Sequence, residues 1–122
     1  MVRVLLVDDN TRFRALLRRL LERDGEIEVV GEAGDGEEAI LEADLHSPDV
    51  VLMDVSMPGL SGFETTYALT ERHPETAVLM LSIQDKDVDM AAAMANGASE
   101  YLIKDMPAVE IAAAIKRHGP AG

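Results

Sequence analysis

Apolar runs recur along the chain, and most of them end at a polar residue. The clearest run is Val50–Met53, which is apolar at every position and leads directly into Asp54. A run without polar interruptions is typical of a strand that is covered on both faces, as in the middle of a parallel sheet. The segment that starts at residue 27 alternates only in part, which favours a strand nearer an edge. The predicted strands are Val2–Val7, Ile27–Ala33, Val50–Asp54, Ala77–Leu81 and Tyr101–Ile103.

The segments between these runs carry apolar residues at steps of three and four, which is the spacing of amphipathic helices. In the first segment one apolar stripe is formed by Phe13, Leu16, Leu17, Leu20 and Leu21. The opposite face carries Arg12, Arg14, Arg18 and Arg19. We expect that face to be solvated and able to receive an acidic partner. The predicted helices are Thr11–Arg23, Glu37–His46, about 63–72, Asp87–Asn96 and about 107–117.

The alternation of strands and helices predicts the class of fold. Five strands that alternate with five helices at a spacing of about two dozen residues require a parallel sheet with right-handed crossovers. The 122 residues suffice for one domain with a substantial core and are short for two. We therefore predict a single α/β domain over residues 1–122, with helices on both faces of the sheet.

The net charge of −12, from 23 acidic and 11 basic residues, limits the classes of partner. Such an excess of negative charge repels nucleic-acid phosphates and anionic membrane surfaces, so we expect this domain to bind neither. The sequence has no cysteine, which excludes disulfides and thiolate metal sites. No apolar stretch has the length of a membrane span or of a signal h-region, and we expect a cytoplasmic domain.

Polar residues follow the core strands at the points where those strands end. Asp8 and Asp9 follow the first, Asp54 closes the third, Ser82 follows the fourth and Lys104 follows the fifth. The carboxyl ends of parallel strands share one edge of the sheet, where α/β proteins bind their ligands. Three crowded carboxylates favour a shared cation, and oxygen ligands suit Mg²⁺. With an amine and a hydroxyl nearby, the sequence predicts a site for a phosphoryl group.

The same residues, in this order and spacing, resemble those of the response-regulator receiver domains of two-component signalling, over essentially the full length of the chain. The matching residues are Asp8-Asp9, Asp54 within the segment 54–62, Ser82, Tyr101 and Lys104. The resemblance implies a flavodoxin-like receiver fold with strand order 2-1-3-4-5.

Within the receivers, Lys104-Asp105-Met106 together with the Ser82 hydroxyl is most similar to the NarL/LuxR-type subfamily. In that subfamily a helix-turn-helix DNA-binding domain follows the receiver. We expect that domain to be absent from this chain, which would make the chain an excised receiver. A natural single-domain regulator is the alternative.

The resemblance implies a phosphoacceptor and its metal ligands. Asp54 would accept a phosphoryl group from a phosphohistidine of a sensor histidine kinase. Asp9, Asp54 and the backbone carbonyl of Ser56 would ligate Mg²⁺, and Asp8 would act mainly through bound water. Phosphoryl transfer depends on positioning and on neutralisation of negative charge, which such a site supplies.

Three further residues are implied to respond to the phosphoryl group. Lys104 would pair with its oxygens. Ser82 would hydrogen-bond one of them and so open space into which Tyr101 rotates, which would change the surface near the fourth helix and fifth strand. The domain would catalyse its own phosphorylation and dephosphorylation without being a turnover enzyme, and it would regulate an output, with a homodimer expected on phosphorylation.

The sequence favours three other functions less. A Mg²⁺-dependent phosphohydrolase with an aspartyl nucleophile tends to carry a second acid two residues later, whereas position 56 is Ser. A receiver-like interaction module that acts without phosphate would usually lack one of the acids or the lysine, whereas this chain has all of them. A dinucleotide-binding domain is disfavoured because no Gly-x-Gly-x-x-Gly follows the first strand.

Ordinary structural roles are the alternative for single residues. Asp8 and Asp9 suit a turn and a helix cap, and Tyr101 suits a half-buried strand position. Lys104 alone could be a surface lysine. The three histidines lie at predicted helix ends, and we interpret them as structural surface residues: His46, His73 and His118.

The sequence departs from the usual receiver pattern at two positions. Many receivers have Pro directly after the lysine, with a cis bond between them, whereas Asp105 follows Lys104 here. The sequence therefore predicts neither the cis nor the trans isomer of the Lys104–Asp105 peptide bond. Ile83 stands where a smaller residue is common, and we hypothesise that it restricts access to Asp54 and slows small phosphodonors.

Overall fold

The computed structural model describes residues 1–55, 61–83 and 87–120. Within them the chain forms five parallel strands that alternate with five helices, as predicted. The strands are β1 (Val2–Val7), β2 (Ile27–Ala33), β3 (Val50–Asp54), β4 (Ala77–Ser82) and β5 (Glu100–Ile103). The helices are α1 (Thr11–Glu22), α2 (Gly36–His46), α3 (Gly62–Arg72), α4 (Asp87–Ala95) and α5 (Ala108–Arg117).

The strand order in the sheet is β2-β1-β3-β4-β5, which confirms the order that the resemblance implies. The predicted edge position of β2 is also confirmed. In the middle of the sheet, Val50 of β3 is in register with Val4 of β1 and with Ala77 of β4. The order reverses between β1 and β3, and ligand sites in open α/β sheets lie at the carboxyl ends of strands at such a point.

Helices cover both faces of the sheet and enclose two hydrophobic clusters. Successive residues of β3 point to opposite faces. Leu52 belongs to the cluster under α1 and α5, and Met53 belongs to the cluster under α2, α3 and α4. All of β3 is buried, which explains why its sequence is apolar without alternation up to Asp54.

Capping residues determine where the helices begin. Asn10 accepts a hydrogen bond from the Phe13 N–H, so α1 starts directly after Asn10. Ser61 and Glu64 form a capping box, and α3 therefore starts at Gly62, one residue before its predicted start. Within the described residues, no helix combines the length and the apolar character that are needed to cross a membrane.

Two expectations about α1 are wrong in part. Leu16 does not join the core and is 51% exposed, because Leu17 and Leu21 occupy the contact with the sheet and α5. Arg14 and Arg18 are not freely solvated. Both pair with Glu32 on the edge strand β2, at 2.8 Å from Arg14 Nε and 2.5 Å from Arg18 Nη1.

Each histidine lies at the end of a helix, and each is paired with a carboxylate. The pairs are His46 with Glu42 at 3.1 Å, His73 with Asp44 at 2.8 Å and His118 with Glu100 at 2.8 Å. These partly exposed contacts agree with the structural role that the sequence predicts for the histidines.

Candidate functional site

The carboxyl ends of β1, β3, β4 and β5 meet at one edge of the sheet, as the sequence predicts. Backbone hydrogen bonds continue the strand pairing into the residues that follow. The Asp8 N–H donates to the Ala33 carbonyl at 3.0 Å, and the Lys104 N–H donates to the Ser82 carbonyl at 2.7 Å. Asp54 is in register with Leu81 of β4. These contacts fix the backbone of the predicted site residues relative to one another.

Asp8, Asp9 and Asp54 form an acidic cluster in which one carboxylate oxygen of each lies within 4.8 Å of the others. Asp8 and Asp54 are only 5% and 6% exposed, while Asp9 is open to solvent. Burial of charge is costly unless a partner compensates it. The cluster therefore requires a positive charge close by.

The Lys104 ammonium supplies part of that charge. Its Nζ lies 2.7 Å from Asp8 Oδ2 and 3.6 Å from Asp54 Oδ1, and its side chain is 17% exposed. Asp8 Oδ2 is buried and, within the described residues, accepts no hydrogen bond of acceptable geometry. The 2.7 Å contact is thus an ion pair whose angles are poor for a hydrogen bond.

The charge and the chemistry of the cluster fit a divalent cation. Three carboxylates and one ammonium leave a net charge of −2. The ligands are oxygens, one of the three acids is exposed to water, and Asp8 Oδ2 retains unused acceptor capacity. Mg²⁺ prefers this combination of a few carboxylates with water and phosphate oxygens. Asp9 and Asp54 would hold it directly, and Asp8 would hold it mainly through bound water.

Arg14 stabilises the acidic cluster through the backbone that carries Asp8. Its Nη1 donates to the Asp8 carbonyl at 2.5 Å and to the Ala33 carbonyl at 3.3 Å, while its Nε pairs with Glu32. Burial raises the pKa of Glu32, but hydrogen bonds from Arg18 and Arg14 lower it by more, so the net pKa lies below its usual value. The guanidinium thus joins the ends of β1 and β2.

Gly62 lets α3 begin close to the phosphoacceptor candidate. A Cβ at this position would lie 2.5 Å from the Asp54 carbonyl oxygen and 3.0 Å from the Val55 Cα. A larger residue would force this helix away from the end of β3. The close approach explains why glycine follows Ser61.

The sequence profile of the response regulator receiver domain matches residues 4–116, which is most of the chain. The chain belongs to this family. The receiver is 38% identical over 115 residues to the transcriptional regulatory protein DegU of Brevibacillus brevis, covering 94% of this chain and 49% of that protein. It is 40% identical over 116 residues to the response regulator UvrY of Escherichia coli, covering 95% of this chain and 53% of that protein. The receiver thus spans about half the length of these curated relatives.

A solved structure supports the same assignment. The signal receiver domain of the response regulator NarL from Mycobacterium tuberculosis matches with a TM-score of 0.91 and 37% identity, over 95% of this chain and 94% of that chain. The flavodoxin-like receiver fold and the resemblance to the NarL/LuxR-type subfamily are therefore confirmed.

Two of the remaining predicted residues of the receiver lie on β4 and β5. Ser82 is buried at the end of β4, and Tyr101 of β5 is half-buried against the second core cluster. Ser56, the predicted backbone ligand, lies outside the described residues. No peptide bond between described residues is cis, so the Lys104–Asp105 bond is trans.

A cavity of about 340 Å³ lies beside Lys104 in the receiver and is lined by Asn10, Phe13, Ile83, Lys104 and Asp105. Sequence reasoning did not identify Asn10, Phe13 or Arg14 as neighbours of the site. The signal that points to them is their position in the first turns of the helix that follows Asp8-Asp9.

Proposed function

We propose that Asp54 of this receiver accepts a phosphoryl group from a phosphohistidine of a sensor histidine kinase in a Mg²⁺-dependent reaction. The observation that supports this most directly is the convergence of three carboxylates and the Lys104 ammonium at one strand edge. A site with this charge distribution suits phosphoryl transfer, which requires positioning and charge neutralisation.

In the proposed step, an Asp54 carboxylate oxygen attacks the phosphorus. The bond between phosphorus and the imidazole nitrogen breaks, its electron pair stays on the nitrogen, and the imidazole then takes up a proton from water. The product is an acyl phosphate on Asp54. Lys104 exchanges its contact with Asp8 for the phosphoryl oxygens, with which an ammonium forms strong charge-assisted hydrogen bonds.

Asp9, Asp54 and the Ser56 carbonyl would hold Mg²⁺, with Asp8 acting mainly through bound water. When bound, the ion neutralises negative charge on the carboxylates and on the transferred group. Asp8 Oδ2, with its unused acceptor capacity, supports this fit. Asp54 itself would therefore serve as both phosphoacceptor and metal ligand.

The proposed consequence is a switch between two states of the receiver. Ser82 would hydrogen-bond the phosphoryl group and Tyr101 would rotate into the space that this movement opens. Differential contacts of a few kcal/mol are enough to redistribute two such states.

We propose that the output is transcription through a DNA-binding domain and that phosphorylation favours a homodimer. We also propose that the receiver works in the cytoplasm without itself binding DNA.

The test is intact-mass spectrometry of the receiver after incubation with acetyl phosphate and Mg²⁺. We expect a gain of one phosphoryl group that requires the metal and that disappears in Asp54→Asn. Asp44→Asn is the matched control, because it makes the same chemical change in an exposed acid at the end of α2.

Two results would contradict the proposal. One is a mass gain that survives in Asp54→Asn. The other is the lack of any gain with acetyl phosphate and with a sensor kinase. Steady release of phosphate from simple phosphate esters, at many turnovers per chain, would instead favour the phosphohydrolase.

A further inference from the structure

We propose that Phe13 is a positioning residue that holds the Lys104 ammonium against Asp8 and Asp54, an inference that rests on the proposed role of Asp54. Lys104 Nζ lies over the Phe13 ring, 4.6 Å from its centroid. At this distance the negative face of an aromatic ring attracts a cation. Aromatic side chains are scarce in this chain, with two phenylalanines, two tyrosines and no tryptophan, so such a face beside the site is a specific feature of this sequence.

The ring is fixed by a closed chain of contacts that starts and ends at Asp8. Asp8 Oδ1 accepts a hydrogen bond from the Asn10 N–H at 2.9 Å, and Asn10 Oδ1 accepts one from the Phe13 N–H at 3.0 Å. The Phe13 ring then faces Lys104, whose Nζ returns to Asp8 Oδ2 at 2.7 Å. The acid that Lys104 contacts therefore also fixes the start of the helix that carries the ring.

An aromatic face offers Lys104 something that another carboxylate would not. The ring attracts the ammonium through its quadrupole but carries no net charge and binds no Mg²⁺. Its attraction persists when a metal neutralises Asp8 and Asp54 or when a phosphoryl group arrives. Lys104 thus keeps one constant partner while its anionic partners change.

The surroundings of the ring strengthen this effect. Phe13 packs against the core cluster under α1 and α5, and it borders a largely apolar cavity of about 150 Å³ between these helices. Lys104 borders the same cavity. Because the apolar side excludes water from part of the lysine, the attraction between ammonium and ring exceeds that of an exposed pair.

The test compares four variants with the wild-type domain. Phe13→Leu keeps an apolar side chain and removes the aromatic face, whereas Phe13→Tyr and Phe13→Trp keep a face. Phe63→Leu is the matched control, because Phe63 is the other phenylalanine and is half-buried against the second cluster on α3. A loss that occurs in both leucine variants would reflect packing alone.

Two readouts follow Lys104 without any phosphorylation. One is the ring-current shift of the Lys104 ε-methylene protons in NMR spectra. The other is the rate at which N-hydroxysuccinimide acetate acetylates the Lys104 amine, followed by peptide mass spectrometry. A third readout is the initial rate at which acetyl phosphate labels Asp54.

We expect the ring-current shift in the wild type, Phe63→Leu and the Tyr and Trp variants, and its loss in Phe13→Leu. Phe13→Leu should acetylate at Lys104 about threefold to tenfold faster and label at Asp54 more slowly by a similar factor, with rescue by Tyr or Trp. No shift in the wild type, or Lys104 reactivity or Asp54 labelling that Phe13→Leu leaves unchanged, would overturn the inference. A wild type that is labelled neither by acetyl phosphate nor by a sensor kinase would refute the proposed function instead, and the two Lys104 readouts would still decide where the lysine lies.

Discussion

Ile83, the residue after Ser82, is 75% exposed and lines the cavity beside Lys104. We predict that Ile83→Ala accelerates labelling of Asp54 by acetyl phosphate, because a smaller side chain widens the approach for a small donor. The free energy of unfolding should change by no more than about 0.5 kcal/mol, since the side chain is exposed. Initial labelling rates from intact mass, together with urea unfolding, check both expectations.

The control for this prediction is Met94→Ala, which shortens another exposed apolar side chain, on α4. Its labelling rate should equal that of the wild type. If Ile83→Ala also labels at the wild-type rate, Ile83 does not restrict access to Asp54.

At the same scale of single residues, the site was predictable only in part from the sequence. Asp8 and Lys104 each follow a core strand and Asp54 ends one, so the topology of a parallel sheet is enough to bring them to one edge. Phe13 and Arg14 lie on a helix, and their contacts depend on how α1 is rotated about its axis. The apolar stripe of α1 does not specify that rotation closely, as exposed Leu16 illustrates.

At the scale of elements, Arg14 joins α1 to the ends of β1 and β2. Its guanidinium donates to the carbonyls of Asp8 and Ala33 and pairs with Glu32. We predict that Arg14→Met, which keeps the apolar stem, lowers the free energy of unfolding by about 1–3 kcal/mol, because partly buried acceptors lose their donor. Urea denaturation measures this change.

Arg19→Met on the same helix is the control for this prediction, since Arg19 is exposed and should tolerate the change within about 0.5 kcal/mol. Equal midpoints for the two variants would show that Arg14 does not join these elements.

Element boundaries themselves were predictable to about one residue, because caps such as Asn10 and Ser61 are local in sequence. The pairing of Arg14 with β2 is not local and could not be read from the helix pattern.

At the scale of the whole molecule, the order of the strands followed from the family resemblance, while the βα alternation alone required only a parallel sheet.

The charge distribution shows a further limit of sequence reasoning. A net charge of −12 describes self-repulsion of the chain, yet individual carboxylates are locally stabilised. Hydrogen bonds from Arg72 and His73 lower the pKa of Asp44, and a hydrogen bond from Lys116 lowers the pKa of Asp24. The pKa of Glu32 is also lowered in the folded protein.

These lowered pKa values predict how stability depends on pH. A carboxylate with a lower pKa in the folded state stabilises the fold above its unfolded pKa, and this contribution is lost as pH falls through the folded value. For Glu32, whose ordinary pKa is 4.5, the loss should therefore lie below about pH 4.5. We predict that Glu32→Gln is less stable than the wild type at pH 7 and that the difference narrows between pH 4.5 and 3.

The measurement is the free energy of unfolding from urea titrations across this pH range. Glu28→Gln is the matched control, because Glu28 is an exposed acid on the same strand and its substitution removes the same charge. Relief of overall repulsion near the isoelectric point of about 4.5 acts on both variants alike and therefore cancels from their comparison. A difference between wild type and Glu32→Gln that stays constant down to pH 3 would show that Arg14 and Arg18 do not stabilise the ionised Glu32. A narrowing that appears equally in Glu28→Gln would assign the effect to net charge instead of to these ion pairs.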